Sequence, residues 1–409
     1  MQNYDLKMNQ LPTKLLSLLL IAVSYNLKAQ SPSLVGQIEE SNPITVAVPF
    51  AGLAPDSRAS GMGDVGVATT PDANSIHWNN AKLAFIDHNL GFSFSYSPWL
   101  GNIVPDMSLN YLSFYKRIDP IQTFGVSLRY FDMGEIQKTD VLANPIGIEN
   151  PREAAIDATY SRKLSEYFST ALTMRFIWSD LAGSINNASG ANAGTSLAFD
   201  LGTYYTRPVM FNGNESEVSF GAHLSNIGQK ITYAGEDQED FIPQNFRVGT
   251  AFKTNLDAFN SLMFALDFNK LLVPTPPIYR RDANGNIEFD ANDEPIIEAG
   301  KDPNRPFISG TFGSFTDAPD GFGEELSEIT ISFGAEYWYK DVFAFRTGYF
   351  WEDQDKGDRK YFTAGLGFRY QVFGLDLSYL IPQDQNHPLG DTLRLSFVFN
   401  MNKEEDTNQ

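Results

Sequence analysis

The 409-residue sequence contains no cysteine. That absence excludes disulfides, thiolate metal sites, a cysteine nucleophile and a lipoprotein anchor. Long hydrophobic runs are scarce: mean hydropathy is −0.25, and the only continuous apolar stretch, Leu15–Val23, is too short to span a bilayer as a helix. Positive charge is in deficit, with 30 Lys and Arg against 50 Asp and Glu for a net charge of −20. Nucleic acid is therefore not an expected partner, since binding it requires neutralised phosphates. The four histidines, His77, His88, His223 and His387, fall in separate segments with no HExxH or His-carboxylate spacing, so a metal hydrolase is not expected. There is no GxSxG elbow. No catalytic, cofactor-binding or metal-ligating residue is expected, and the chain does not read as an enzyme.

The N-terminal 29 residues carry the marks of an export signal. Lys7 and Lys14 flank the apolar stretch, and Leu27-Lys28-Ala29 precedes Gln30 in the manner of a cleavage site. Residues 1–29 are read as a signal peptide, 30–88 as an N-terminal hatch or plug, 89–401 as a barrel and 402–409 as an acidic tail.

From Leu90 onward large apolar residues recur at every second position, with small or polar residues between them, as in Leu90/Phe92/Phe94/Tyr96 and Phe168 to Trp178. A period of two means strands with one apolar and one polar face. Thirteen segments keep this phase, and a less regular one at Leu109–Tyr115 brings the total to about fourteen, an even number as in bacterial single-chain barrels. A soluble β-sandwich also alternates, but two features favour a membrane barrel. The connections after odd strands are mostly long: about 20 residues at Asp132–Pro151, about 15 at Asp180–Gly194, about 18 at Asn226–Pro243 and more than 50 at Leu271–Glu325. Those after even strands, such as Lys163–Tyr167 and Tyr370–Val372, are short. The fold class expected is an all-β antiparallel transmembrane barrel with long outer loops and short periplasmic turns. The second feature is charge segregation: Arg129, Asp157, Arg175, Asp200, Arg247, Asp267, Glu336, Arg346, Arg369, Asp376 and Arg394 all fall on the small-residue side.

About sixty mature residues precede the first strand, too many for a simple tail. They are read as a plug folded into the lumen, with Thr70 expected to cap a short helix that has Pro71 in its first turn. The inward charges are either the plug's partners or a solvated lining, with six Arg and five carboxylates largely able to pair within the wall. Gly61, Gly63 and Gly66 have GxGxxG spacing, but no preceding strand and following helix accompany them, so they read as sites of tight turns against the wall.

The plug sequence Arg58-Ala59-Ser60-Gly61-Met62-Gly63-Asp64-Val65-Gly66-Val67-Ala68-Thr69, the stretch Asp72-Ala73-Asn74-Ser75-Ile76-His77-Trp78-Asn79 and the barrel that follows resemble the FadL family of outer-membrane proteins. Gly61, Gly63, Gly66, Trp78 and Asn79 form the hatch motif in this resemblance. Asn80 stands where the family commonly has Pro in an Asn-Pro-Ala element, a departure that argues against an inherited gating role. Within the family the likeness is greatest to the shuttle proteins of the type IX secretion system. The resemblance implies an outer-membrane protein, embedded in lipid, that receives secreted cargo by its C-terminal signal domain at a very large translocon barrel. It would pass that cargo to a surface attachment complex with a sortase-like component. Two other implied functions are hydrophobic-solute transport and removal of acyl chains from lipid A. The small and charged inward residues disfavour the first. The second lacks a nucleophile-base pair, and His223, the only strand histidine, reads as a polar wall residue.

The outer loop at 272–325 holds seven prolines. Long outer loops are usually functional, and its aromatics Tyr279, Phe289, Phe307, Phe312, Phe315 and Phe322 are the candidate partner-binding residues. The alternative is a loop folded inward over the barrel mouth. Asp282-Ala283-Asn284-Gly285-Asn286 is read as a hairpin turn in preference to a calcium loop.

Overall fold

In the computed structural model, residues 42–101, 104, 106–181, 193–233, 239–282, 284–383, 390 and 392–402 are described. The expected signal peptide, the first residues of the expected plug, His387 and the tail from residue 403 onward lie outside them. Fourteen antiparallel strands close into one barrel. They are β1 (Leu90–Pro98), β2 (Ser108–Asp119), β3 (Gln122–Asp132), β4 (Arg152–Lys163), β5 (Phe168–Asp180), β6 (Gly194–Phe211) and β7 (Asn214–Gly228). There follow β8 (Asn245–Asn255), β9 (Asn260–Leu271), β10 (Ile329–Tyr339), β11 (Phe343–Trp351), β12 (Lys360–Tyr370), β13 (Phe373–Pro382) and β14 (Leu393–Met401). Each strand pairs with its neighbour in sequence, and β1 pairs with β14, Phe94 opposite Phe397. Closure leaves no strand edge for the bilayer to strand unpaired.

The phase read from the sequence is the phase of the wall. Phe264, Phe333, Leu366 and Phe397 point outward and are 43–54% exposed, whereas Arg129, Asp157, Arg175, Asp200, Asp267, Glu336, Arg346, Asp376 and Arg394 are buried inside. Outward rings meet across strands, as in Phe92–Phe399 at 5.1 Å and Tyr349–Phe362 at 4.7 Å between centroids. The β6–β7 turn is made by Asn212 and Gly213, both at positive φ, the pair that suits a right-twisted hairpin. The long connections gather at the opposite end and form short hairpins of their own, Ile136–Thr139 with Pro145–Glu149 and Ile278–Tyr279 with Ile297–Ala299.

Residues 42–89 run inside the wall from the long-loop end to the start of β1. Asn42 N donates to Asp355 O and Ala47 N to Phe241 O at the long-loop end, and Asn89 N donates to Met401 O at the other. Between these points lie two short helices, α1 (Ser57–Ser60) and α2 (Ser75–Trp78), and a 3-10 turn at Asn80–Phe85. The helix expected at Pro71 begins instead at Ser75. Its expected cap, Thr70, is taken by Arg58, which donates to both the Thr70 hydroxyl and its carbonyl. Asp72 meanwhile accepts from Asn74 N at 2.9 Å, a local turn that holds residues 71–74 out of the helix. The inward face is not uniformly polar. Towards the long-loop end Leu109, Phe131, Ala155, Ile177 and Ala198 form an apolar patch that is covered by Val48, Phe50 and Ala51 of the chain's own N-terminal segment.

Replacing Phe264 or Leu366 with Arg is expected to weaken the barrel by about 2–4 kcal/mol, the cost of a cation near mid-bilayer. Phe264→Leu serves as the control and should change little. Equilibrium unfolding from lipid vesicles measures both.

Candidate functional site

Two of the hatch-motif glycines, Gly61 and Gly63, touch the wall where a side chain would not fit. A Cβ on Gly63, whose φ is +73°, would lie 2.6 Å from Tyr349 N, and one on Gly61 would lie 3.1 Å from the Cα of Gly365. A Cβ on Gly66 would run into the Trp78 ring. Gly61 and Gly63 thus lie against the wall, whereas Gly66 lies against Trp78 of its own segment. Trp78 Nε1 donates to Asp56 Oδ1 at 2.6 Å, and the other oxygen of Asp56 caps α1 by accepting from Ala59 N at 3.0 Å. Asn79 joins three pieces of backbone: its Nδ2 donates to Val67 O at 3.0 Å and to Thr203 O of β6 at 2.9 Å, while its Oδ1 accepts from Ala81 N at 3.1 Å. Asn80, at the family's Pro position, donates to the Thr173 hydroxyl of β5 at 2.8 Å.

The inward charges serve both the wall and the segment it encloses. Arg175 pairs with Asp157 at 2.6 Å and Asp200 at 3.0 Å. Arg346 bridges Glu336 at 2.7 Å and Asp376 at 2.8 Å, and Arg369 adds a second arginine to Asp376 at 2.7 Å. Only these three of the six arginines pair with wall carboxylates, fewer than the count of charges suggests. The other three turn to the N-terminal segment. Arg129 donates to Phe50 O at 2.9 Å and contacts His77 Nδ1 at 2.7 Å. Arg394 reaches the Ser60 hydroxyl and Asp64. Arg247 lies over the Trp78 ring at 5.0 Å and donates to Asn269 Oδ1. The segment answers with Arg58, whose fork grips both oxygens of Glu336 at 2.9 and 3.0 Å and reaches Asp72 at 2.8 Å. Asp267 of β9 accepts from Gly66 N at 2.7 Å and Val67 N at 2.9 Å. A cavity of about 340 Å³ remains beside Leu53, His77, Asn226, Arg247 and Arg359. His223 is fully buried on β7, 4.0 Å from Asp200.

The long loop after β9 divides into two parts. Its first half is a small meander: Ile278–Tyr279 pairs with Ile297–Ala299, and Arg281 bridges Ile287 across the expected Asn284-Gly285 turn. Asp282 accepts from Asn284 N and Asn286 N at that turn, and Asp290 repeats the arrangement with Asn292 N and Glu294 N. The backbone N–H groups hold both carboxyls below their usual range. The second half carries α3 (Phe307–Gly313) and α4 (Phe322–Ser327). It is fastened by Lys270, which donates to Glu325 at 2.9 Å and to Glu328, and by Lys356, which donates to Glu324 at 2.5 Å and Glu328 at 3.2 Å. Part of the loop also covers the mouth, where Asn42 donates to Pro276 O and Glu324. Of the six candidate aromatics, Phe289, Phe312, Phe315 and Phe322 are exposed, while Tyr279 and Phe307 are half-buried. The six do not converge on one site: Tyr279 and Phe289 belong to the meander, and the others lie on or beside the helices.

Several residues that organise the site escaped the sequence reading. Arg58 and Lys82 stand out: Lys82 is buried and donates to Gly66 O at 2.5 Å and to the Thr69 hydroxyl at 3.0 Å. Asp56 was legible in principle, because Asp before Ser-Arg-Ala is an N-cap signal.

A family model described as Type IX secretion system protein PorV matches residues 36–278, more than half of the chain. No curated protein matches the sequence. Among solved structures, the Ralstonia pickettii toluene transporter TbuX is 9% identical, with 85% of this chain and 98% of that chain covered at a TM-score of 0.44. A Pseudomonas aeruginosa FadL homologue is 10% identical, with 88% and 99% covered at 0.44. The P. putida toluene transporter TodX is 10% identical, with 85% and 99% covered at 0.45.

Removing one member of the buried network should cost far more than removing a peripheral one. Glu336→Gln leaves Arg58 and Arg346 without their shared carboxylate and is expected to cost about 3–5 kcal/mol. Asp72→Asn, at the solvated end of Arg58, is expected to cost no more than about 1 kcal/mol. Unfolding in vesicles gives the energies, and faster proteolytic cleavage within residues 42–89 of the Glu336→Gln protein would localise the effect.

Proposed function

The chain belongs to the PorV family of type IX secretion system proteins, and from that membership we propose that it binds secreted cargo and hands it on at the cell surface. In this reading it takes the C-terminal signal domain of each cargo protein at the translocon barrel and delivers it to a sortase-like attachment complex. The observation that carries the proposal is the occupied lumen. A barrel filled by its own residues 42–89, cross-linked to the wall through Arg58–Glu336 and Asp267, offers partners its loops and outer surface. Transport of an apolar solute is the weaker reading, because the apolar patch inside the wall is already covered by Val48, Phe50 and Ala51.

The partner contact is assigned to the meander, where Phe289 is exposed and Tyr279 half-buried. Tight Asx turns at Asp282 and Asp290 limit the entropy lost when such a surface docks. The N-terminal segment is the plug in this scheme.

Two outcomes test the proposal. The intact protein should conduct ions poorly in planar bilayers, and a protein lacking residues 31–85 should conduct freely; large conductance from the intact barrel removes the plug. Replacing Ile278–Ala299 with a short Gly/Ser linker should leave the barrel inserted, because the two ends of this segment pair with each other. Export of proteins bearing the C-terminal signal should then fail, and the translocon should no longer co-purify. Normal secretion by this variant, once heat-modifiable migration has established insertion, would refute the assignment.

A further inference from the structure

Helix α4 is turned the wrong way for a helix facing water. Its sequence is Phe-Gly-Glu-Glu-Leu-Ser, and the carboxylates point into the protein: Glu324 to Lys356 and Asn42, and Glu325 to Lys270 and the backbone N–H groups of Asp317 and Ala318. Phe322 and Leu326, one helical turn apart, are left 77% and 51% exposed. Helix α3 repeats the arrangement. Thr311 turns inward to Gln244, while Ile308 and Phe312, again four residues apart, are 60% and 66% exposed. Apolar residues at this spacing share one helix face. An apolar face directed outward over buried charges is stable where the surroundings are themselves apolar.

The position of α4 identifies those surroundings. Lys270, which holds Glu325, lies two residues beyond outward-facing Phe268 on β9 and so shares the outward phase. The loop therefore hangs over the outside of the wall and does not only cap the mouth. Beneath the overhang is an apolar groove of about 210 Å³. Its floor is Phe246, Val248 and Phe268 of the lipid-facing wall, and Phe315, Phe322 and Leu326 form its roof. The groove continues the hydrocarbon-facing surface of an outer-membrane barrel, and acyl chains already bathe that surface.

We infer that this overhang holds an acyl chain of an outer-leaflet lipid between the wall and α4, with the exposed faces of both helices resting in the lipid surface. The wall supplies one side of the slot and the loop aromatics the other, so a chain entering it exchanges contact with mobile neighbours for contact with fixed rings. The inference is independent of any secretion partner and concerns the purified barrel in lipid alone.

Photolabelling tests it. The full-length protein is reconstituted in phosphatidylcholine vesicles that include a phosphatidylcholine with a diazirine on one chain, irradiated, and mapped by peptide mass spectrometry. Adducts are expected on Phe315, Phe322 or Leu326 as well as on the β1 belt at Phe92 and Phe94. In the double variant Phe322→Ser, Leu326→Ser, adducts on Phe246 and Phe268 should fall severalfold while those on β1 hold. An unlabelled 315–326 segment in vesicles whose β1 belt is labelled overturns the inference, and this map needs no variant. Equal labelling of Phe246 and Phe268 in the double variant also overturns it. If the apolar faces serve a protein partner instead, the wild-type segment escapes lipid labelling and cross-links to protein in native membranes. Because the vesicles contain no secretion component, a negative result here leaves the cargo reading to its own tests.

Discussion

Hydrocarbon offers no hydrogen-bond partner, so every backbone N–H and C=O that enters the outer membrane must be answered within the protein. Closing fourteen strands through the β1–β14 pair satisfies that demand at once. The two-residue side-chain period then divides the wall into two environments. One face must be apolar throughout, and the other is free to carry what the bilayer refuses. The charges on the inward face are the reason the N-terminal segment can be held inside.

Within that enclosure the electrostatics are those of a sparingly hydrated site, where a charge without a partner is costly. Arginine is the main cation of the wall, and its planar fork explains the choice. Arg58 uses one edge on both oxygens of Glu336 and still has a nitrogen for Asp72, and Arg175 spans Asp157 and Asp200. Such pairs fix geometry more than they add stability. Here the geometry fixed is the seat of residues 42–89, since Glu336, Asp267 and Arg394 each face the lumen from a different strand and grip a different point of the segment.

The barrel was legible because its constraint writes a period into the chain. Thirteen of the strands between Leu90 and Met401 declare themselves by alternating large and small residues, and β2 does so less regularly. The loop hairpin at Asn284-Gly285 was readable for the same reason. The interior was only partly legible. Gly61, Gly63 and Gly66 signalled close approach, but nothing local says that Gly61 meets Gly365 or that Arg58 meets Glu336, because those meetings depend on closure. The inward charges were readable as partners of the N-terminal segment, but their count overstated pairing within the wall, since Arg129, Arg247 and Arg394 face the segment. The helix at Ser75 was misplaced for a similar reason, since Thr70 looks like a free cap until Arg58 is seen to occupy it.

The contacts of the N-terminal segment also carry an order of events. Ser57 bonds Ser396, 339 residues away, Gly63 bonds Thr363, 300 away, and Arg58 grips Glu336, 278 away. The stretch from Ser57 to Gly63 thus finds these partners among the last strands of the sequence. Loop closure over such distances carries a large entropic penalty before any contact rewards it. Bonds to the earlier strands, such as Asn80 to Thr173 and Ala84 to Ser161, leave that stretch unfastened, and once β14 has joined β1 the segment is encircled, with both ends tied at opposite rims. The finished cylinder holds it as a sleeve holds a rod pinned at both ends.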